Sequence, residues 1–373
     1  MKTVKVTRWL VCALAALALG GLLAACGSDS STSSDSSSAE TSGSTVEATT
    51  AEPTAQYEDE LPSGPNPVGK AAGKTIGFVS ACQNCEAMAR LSAAFEDAAE
   101  AAGMRVRIYD TKGNPADTAK GVETLLQAGA DVIALGALPP QVVGTAAKAA
   151  KEKGVPIFGV DTGIPSSAAE GITAFNIEEN TPTEQTKLAK RIVDRIGPEG
   201  KILYLYDKVL PVGTLYDKGL RAGLGKTDIL AEEQIDLTKI TQQGQDVTAT
   251  WLVKYPEVDA ILCAYDASCL GAYQAARSAG REIPVYSSNG NLENLDLIRQ
   301  GADYTTNALA LELQAWLGTD RSISLLNGEK VTDPPLVRDL IIDGENVPET
   351  GVYDGSQLYG DFEKAFVGRW EVE

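Results

Sequence analysis

The fold of this chain is decided by the stretch from Thr75 to Tyr109, which reads TIGFVSACQNCEAMARLSAAFEDAAEAAGMRVRIY. It begins with a short apolar strand, 75–79. Apolar residues then recur at spacings of three and four, typical of one face of a helix, at Met88, Leu91, Phe95, Ala98 and Ala102. Gly103 is placed to end that helix, and Met104 opens the next strand. The stretch therefore predicts one strand–helix–strand unit.

The same alternation continues along the chain in two series. The first adds a helix over 115–128, a strand over 131–135, a helix over 140–153 and a strand over 155–160. Near Phe175 the series restarts, with helices over 182–196, 214–224, 243–254 and 267–279 and strands over 201–206, 229–235, 260–264 and 284–287. The strands are near-continuous apolar runs, as parallel strands covered on both faces are. The pattern predicts an α/β fold with two doubly wound parallel-sheet lobes, and a ligand cleft beyond the carboxyl ends of their strands.

The first 25 residues read as a secretory signal peptide, with a basic start followed by an apolar run from Trp9 to Ala25. The run ends Leu-Ala-Ala-Cys-Gly, which resembles the bacterial lipoprotein processing box, with Cys26 as the lipidated residue. An uncleaved transmembrane anchor is the alternative, but about 17 residues is the short limit for spanning a bilayer. We expect an exported protein held on the outer face of the cytoplasmic membrane by its N-terminal lipid.

Residues 26–73 are expected to form a disordered tether. Up to residue 50 they are almost entirely Ser, Thr, Gly, Ala, Asp and Glu, and the later part adds several prolines. Such a segment has too little apolar surface to offset the entropy of ordering. The folded body would then begin at Lys74.

Composition excludes several classes of function. The chain carries a formal charge of −19, which argues against a nucleic-acid partner. It contains no histidine, which removes the usual zinc ligand set, the Ser-His-Asp triad and the Cys-His pair. We expect no catalysis, no cofactor and no metal.

Several segments resemble, in order and spacing, the sugar-type (ribose-binding-protein-like) periplasmic binding proteins. They are Ile76–Asp110, Gly113-Asn114-Pro115, Gly129–Ile133, Val155–Asp161, Tyr255–Ile261 and Asp266–Ala272. The resemblance covers about residues 74–345. It implies a monomeric substrate-binding lipoprotein of an ABC importer, which holds a small polar ligand between two lobes and docks on a permease. A ligand sensor of the same fold, docking on a signalling receptor, is the alternative.

The family architecture also implies a type I binding protein whose lobes exchange chain three times. We place these crossings near 174–177, 307–310 and 334–339. The N-terminal lobe is then 74–175 plus 309–337, and the C-terminal lobe and tail are 176–308 plus 338–373.

The positions that match the family's pocket differ from the ribose type. The first segment, Cys82 to Met88, has no aromatic ring, and the family's two pocket arginines are replaced by Thr162 and Tyr216. Losing both guanidinium donors puts a plain pentose or hexose in doubt, and makes an amino-bearing or cyclic ligand plausible. The expected ligand-binding residues are Asn84, Cys85, Met88, Asp161, Thr162, Tyr216, Tyr265, Asp266 and Asn289.

Each of these residues also has a purely structural interpretation. Asp161 could cap a turn, Tyr216 could be a surface residue of its helix, and Asp266 could be the N-cap of helix 267–279. Asn289-Gly290 is a turn signal in any fold.

Four cysteines remain in the exported part, Cys82, Cys85, Cys263 and Cys269. They allow three connectivities. The C-x-x-C pair could be a redox dithiol, but a thioredoxin-like unit needs only about a third of this body. Given the two-lobe resemblance, we favour the pairs 82–85 and 263–269, in loops at the rim of the cleft, because the other connectivities would join the two lobes and block hinge closure.

Overall fold

The computed structural model describes residues 56–162, 176–179, 181–329, 331 and 336–371. The predicted signal peptide, Cys26 and the first part of the predicted tether lie outside these residues. Within the described ranges, no helix is both long and apolar enough to cross a membrane.

The first lobe contains a six-stranded sheet in which every pair of neighbouring strands is parallel. Its order is β11 (Leu336–Val337), β5, β4, β3, β1 and β2. Its first five strands are β1 (Thr75–Ser80), β2 (Arg105–Asp110), β3 (Val132–Gly136), β4 (Ile157–Val160) and β5 (Asn176–Glu179). The helices between them are α1 (Glu86–Ala101), α2 (Thr118–Gln127) and α3 (Thr145–Glu152). Strands β1, β3 and β4 are buried along their whole length, whereas the edge strand β2 is largely accessible and carries Arg105 and Arg107. Charged side chains on an edge strand discourage pairing with other chains.

The second lobe has a similar six-stranded sheet in the order β12 (Leu340–Ile342), β10, β9, β8, β6 and β7, in which the edge strand β12 is antiparallel to β10. Its strands in chain order are β6 (Lys201–Tyr206), β7 (Asp228–Gln234), β8 (Ala260–Cys263), β9 (Val285–Asn289) and β10 (Tyr304–Ala308). Its helices are α4 (Thr181–Ile196), α5 (Pro211–Leu224), α6 (Ile240–Lys254), α7 (Asp266–Ser278) and α8 (Leu292–Arg299). The predicted α/β fold with two parallel-sheet lobes is confirmed.

The remaining elements pass between the lobes. They are α9 (Leu311–Asn327), β11 (Leu336–Val337), β12 (Leu340–Ile342), α10 (Ser356–Tyr359) and α11 (Phe362–Trp370). Helix α9 packs on α1 in the first lobe, β11 pairs with β5 there, and β12 pairs antiparallel with β10 in the second lobe.

The first predicted crossing lies too early in the chain. Strand β5 pairs with β4 at Gly159–Asn176 and Val160–Ile177, so it belongs to the first sheet. The chain leaves that sheet after Glu179, whereas the sequence placed the boundary between residues 175 and 176. The later crossings occur between β10 and α9 and between β11 and β12.

The tail does not stay with the second lobe, contrary to the predicted boundary. Helix α11 packs on α9, and the rings of Trp370 and Trp316 stack 5.3 Å apart and 5° from parallel. The tail thus adds a further passage between lobes beyond the three expected crossings. Burial of Phe362, Phe366 and Trp370 supplies the apolar surface that holds it there.

Part of the predicted tether is also folded. Asn66 is 2% exposed and donates to the backbone oxygen and to Oδ1 of Asp320. The backbone N–H groups of Asn66 and Val68 donate to Arg369 and Trp370 in the tail. The folded body therefore begins before Lys74.

Helices α6 and α7 approach each other unusually closely because each places a glycine at the crossing. A Cβ atom at Gly244 would collide with the carbonyl oxygen of Ser268, and one at Gly271 would collide with that of Thr241. This crossing fixes the start of both helices, and both starts face the cleft.

Candidate functional site

A cavity of about 40 Å³ lies between the two lobes. Its walls follow the carboxyl ends of strands β1, β3 and β4 in the first lobe and β6 to β9 in the second, as expected for parallel sheets. A space of this size holds about one or two water molecules, so a sugar-sized ligand requires the lobes or the lining side chains to move apart. The lining residues are Ala81, Cys82, Cys85, Glu86, Ala87, Met88, Ala137, Asp161, Leu210, Val212, Tyr216, Leu237, Ile240, Tyr265, Ala267, Asn289 and Asn291.

Six of the nine expected ligand-binding residues line this cavity, namely Cys85, Met88, Asp161, Tyr216, Tyr265 and Asn289. The other three do not. Asn84 is exposed on the loop before α1, and Thr162 is buried beside Asp161 without reaching the cavity wall. Asp266 is fully buried behind the wall.

The carboxylate of Asp266 is used inside the second lobe. It accepts hydrogen bonds from the hydroxyls of Ser287 and Thr306 and from the backbone N–H of Asn291. Burial raises its pKa to about 6, against the opposing effect of these bonds. Helix α7 begins at Asp266 itself and Tyr265 occupies the N-cap position, so the N-cap interpretation of Asp266 was wrong. Asp266 ties β9 and β10 to the start of α7.

Sequence reasoning missed several lining residues. Glu86 lies inside the segment Cys82 to Met88 that was expected to contribute to the pocket, but Asn84 was chosen as a ligand-binding residue instead. Leu237 and Ile240 follow β7, and Leu210 and Val212 follow β6. The rule that ligands bind beyond the carboxyl ends of strands points to all four.

Backbone strain is concentrated at the cavity. Among the described residues, four other than glycine have positive φ, and three of these line the cavity: Ala137 (φ 57°), Asp161 (φ 55°) and Asn289 (φ 124°). Such conformations cost on the order of 1–3 kcal/mol each and cluster where a protein clamps a ligand. Each of the three stands at or just after the end of a strand, where the chain turns into the cleft.

Tyr265 is held rigidly in the wall of the second lobe. Its hydroxyl donates to Oδ2 of Asp207 at 2.8 Å, and its ring lies 5.9 Å from that of Tyr216. Burial raises the pKa of Tyr265, and the carboxylates of Asp207 and Asp161 raise it further. The phenol is therefore neutral, and its hydroxyl donates a hydrogen bond to Asp207.

The two lobes touch next to the cavity through helix α1. Glu86 accepts a hydrogen bond from the backbone N–H of Leu292 at 2.6 Å. One turn later, Arg90 donates to the carbonyl oxygens of Asn289 and Gly290, at 3.4 and 3.0 Å. Both side chains of α1 thus hold the loop that follows β9 in the other lobe.

Two disulfides are present, Cys82–Cys85 and Cys263–Cys269, which is the pairing favoured from the sequence. The first lines the cavity, between β1 and α1. The second does not lie in a rim loop as expected, because it joins the last residue of β8 to α7 and both of its cysteines are fully buried.

The cavity combines apolar walls with a few polar groups, namely two carboxylates, two carboxamides and two phenols. Such a lining can orient a small polar ligand through hydrogen bonds while excluding water. Across the described ranges, no three His, Cys, Asp or Glu side chains are grouped so that they could hold a metal ion.

Comparison with known proteins gives consistent matches. The ribose import binding protein RbsB of Bacillus subtilis is 25% identical over 270 residues, covering 72% of this chain and 86% of that protein. The xylitol-binding protein of Mycolicibacterium smegmatis is 25% identical over 241 residues, covering 62% of this chain and 66% of that protein. These relatives are binding proteins and not enzymes.

Solved structures show the same fold. The Caulobacter myo-inositol binding protein matches with a TM-score of 0.66 and 19% identity, over 77% of this chain and 96% of that one. An ABC sugar transporter subunit from Rhodobacter sphaeroides matches with a TM-score of 0.66 and 22% identity, over 74% and 99%.

The family model described as "Periplasmic binding protein domain" matches residues 76–330, which is more than half of the chain and most of both lobes. The resemblance to sugar-type periplasmic binding proteins seen in the sequence is confirmed, and the chain belongs to the periplasmic binding protein domain family.

Proposed function

We propose that this chain is an extracytoplasmic solute-binding lipoprotein, which captures a small polar, sugar-like ligand between its lobes and delivers it to an ABC transporter permease. The observation that carries the proposal is the composition of the cavity wall, to which both lobes contribute. A ligand that contacts both lobes favours the closed arrangement, whereas one that contacts a single lobe would shift nothing.

The contacts of Glu86 and Arg90 support a closing motion. They join the lobes through one side-chain carboxylate and one guanidinium acting on three backbone groups. These few bonds contribute little free energy compared with the hydrophobic cores of the two lobes. They can therefore break while each lobe stays folded. Because they lie beside the cavity, ligand contacts and lobe contacts form together.

Native mass spectrometry of the freshly purified chain tests the proposal first, by identifying a co-purified small molecule. Small-angle scattering of the stripped protein, with and without that molecule, should then show a smaller radius of gyration in its presence. An unchanged scattering profile at saturating ligand would contradict capture between lobes.

Lipid anchoring and delivery need separate tests. Replacing Cys26 by Ser should release the protein into the soluble exported fraction, whereas Cys12→Ser, within the predicted signal peptide, should leave the mature lipoprotein unchanged. Uptake of the identified solute into cells should be lost when the gene is deleted, and restored by the unaltered gene.

A further inference from the structure

The ionisable side chains that line the cavity are acidic or phenolic. Glu86 enters from the first turn of α1 and Asp161 from the end of β4. Of the described lining residues, none is Lys or Arg. The segment 163–175 that follows Asp161 in the sequence also contains neither. A ligand between the lobes therefore meets two carboxylates without a basic side chain in the described wall.

Basic residues close to the site in sequence are already paired with carboxylates. Arg90 makes a two-bond salt bridge to Glu312, at 2.9 and 2.8 Å. Lys208 lies 3.2 Å from Asp217. Their positive charge is therefore balanced within the protein by these two carboxylates.

Two of the helices that begin at the cavity carry their own acidic groups at the N-terminus. The partial positive charge of a helix N-terminus attracts anions in many α/β proteins. Here Glu86 occupies the first turn of α1, and the buried Asp266 is the first residue of α7. Helix α5 begins with Pro211, which has no N–H to offer. Acidic groups of the chain itself thus lie at the starts of α1 and α7.

The remaining wall suits a compact body attached to a cationic group. Met88, Leu210, Val212, Leu237 and Ile240 provide apolar surface. The rings of Tyr216 and Tyr265 can contact a cation through their faces. Asn289 and Asn291 provide carboxamides for hydroxyl groups.

We propose that the ligand is a small polyol or cyclic solute that carries an amino group, and that Glu86 and Asp161 bind its ammonium. This inference rests on the proposed function, since it concerns the same cavity. It goes further by assigning a charge to the ligand and by making the two carboxylates the residues that select it. The pKa of Tyr265 is raised first by burial, then by Asp207, and further by Asp161.

Isothermal titration at pH 7 with matched pairs of probes tests the inference: D-glucosamine against D-glucose, and D-galactosamine against D-galactose. A charge-assisted hydrogen bond is stronger than a neutral one by an amount equivalent to about 10-fold in affinity. We therefore expect the amino sugar of at least one pair to bind about 10- to 100-fold more tightly. Asp161→Asn and Glu86→Gln should reduce that ratio towards one.

Asp161→Asn is suited to the positive φ of this position, because Asn also tolerates the left-handed region. Glu152→Gln, on the exposed surface of α3, is the matched control and should leave the ratio unchanged. Thermal melts of all three variants verify that they are folded.

The outcomes separate this inference from the proposed function. Equal or tighter binding of the neutral sugar in each pair overturns the amine inference and leaves solute capture standing. If none of the four sugars binds, the amine inference is also overturned. Solute capture is then judged by the scattering experiment on the co-purified molecule. An amine preference that survives both acidic substitutions overturns the assignment of Glu86 and Asp161.

Discussion

Arg338 donates two hydrogen bonds to the carboxylate of Glu60, at 3.2 and 2.7 Å. Its guanidinium also lies 4.1 Å from the centre of the Tyr57 ring. Arg338 directly follows β11, where the chain crosses between lobes for the third time. The segment that precedes β1 is therefore attached to a crossing strand of the hinge.

The double substitution Tyr57→Ala and Glu60→Gln should loosen this crossing. An exposed salt bridge contributes about 0–1 kcal/mol and a cation–π contact at an exposed site about 0.5–1 kcal/mol. We expect faster hydrogen exchange at residues 336–342 and unchanged exchange in β3. Glu58→Gln, an exposed neighbour, should change neither. Equal exchange in the double variant and the parent protein would show that the contact does not restrain the crossing.

Replacing Arg90 by Met should favour separation of the lobes. The variant loses the bonds to the carbonyls of Asn289 and Gly290, and hydrogen bonds to charged groups contribute about 1.5–3 kcal/mol. The ratio of open to closed molecules should rise by about 10- to 100-fold, seen as a larger radius of gyration in solution scattering without ligand.

The control for this variant is Glu312→Gln, which removes the charge partner of Arg90. Both residues lie in the first lobe. This substitution leaves the bonds between Arg90 and the second lobe in place, so the radius should stay near that of the parent. A similar expansion in both variants would mean that loss of the partly buried ion pair, rather than of the contact between lobes, causes the change.

The strand–helix alternation could be predicted from the sequence up to about residue 287, because buried parallel strands are continuous apolar runs bounded by glycines. Strand β5 was not predicted, because its sequence Asn-Ile-Glu-Glu has no apolar run. The packing of Asn66 on Asp320 joins residues 254 positions apart. Periodicity carries no information about such a contact.

The position of the candidate site could be predicted in the same way, but the choice among neighbouring side chains could not. Tyr265 and Asp266 both follow β8, yet only Tyr265 lines the cavity. The difference arises because α7 begins at Asp266 and turns that carboxylate towards Ser287 and Thr306. Which of the two side chains faces the cavity depends on the helix start to within one residue. Sequence patterns locate helix ends less accurately than that.

Asp266 should make stability depend on pH. Burial raises its pKa in the folded protein to about 6, above the value near 4 of an unfolded chain. Between these values the folded state binds more protons than the unfolded state, so the free energy of unfolding falls as pH rises. The stability that Asp266 contributes is fully present below about pH 4 and lost by about pH 6.

Asp266→Asn removes this titration. The difference in unfolding free energy between the parent protein and the variant should change by about 2–3 kcal/mol from pH 4 to pH 6, measured by urea unfolding across that range. The exposed Asp228→Asn is the control, because it removes a surface carboxylate of the same lobe. A flat difference for Asp266→Asn would contradict a raised pKa.

Trp370 should stabilise the whole first lobe although it lies in the tail. It is 3% exposed, it stacks on Trp316, and its indole N–H donates to Asp320 at 2.8 Å. Trp370→Ala should lower the free energy of unfolding by about 3–5 kcal/mol. Trp370→Phe keeps a ring but loses the hydrogen bond, and should lower it by about 1–3 kcal/mol. Urea unfolding of both variants tests this, and no loss in the alanine variant would mean that the tail is not part of the folded lobe.

The disulfides should appear within single tryptic peptides. Trypsin cleaves after Lys74 and Arg90, which leaves Cys82 and Cys85 together in residues 75–90. Without reduction, this peptide should be lighter by two hydrogen atoms than after reduction, and should not be joined to any other peptide.

The same digest decides the second pair, because cleavage after Lys254 and Arg277 places Cys263 and Cys269 together in residues 255–277. Both bonds close short loops, and removing either should cost about 2 kcal/mol by chain entropy. Since each bond lies within one lobe, their reduction should lower stability without changing the amplitude of closure. A joined peptide of 75–90 with 255–277 would instead tie the lobes across the cleft, and neither the pairing nor the hinge motion proposed above could then stand.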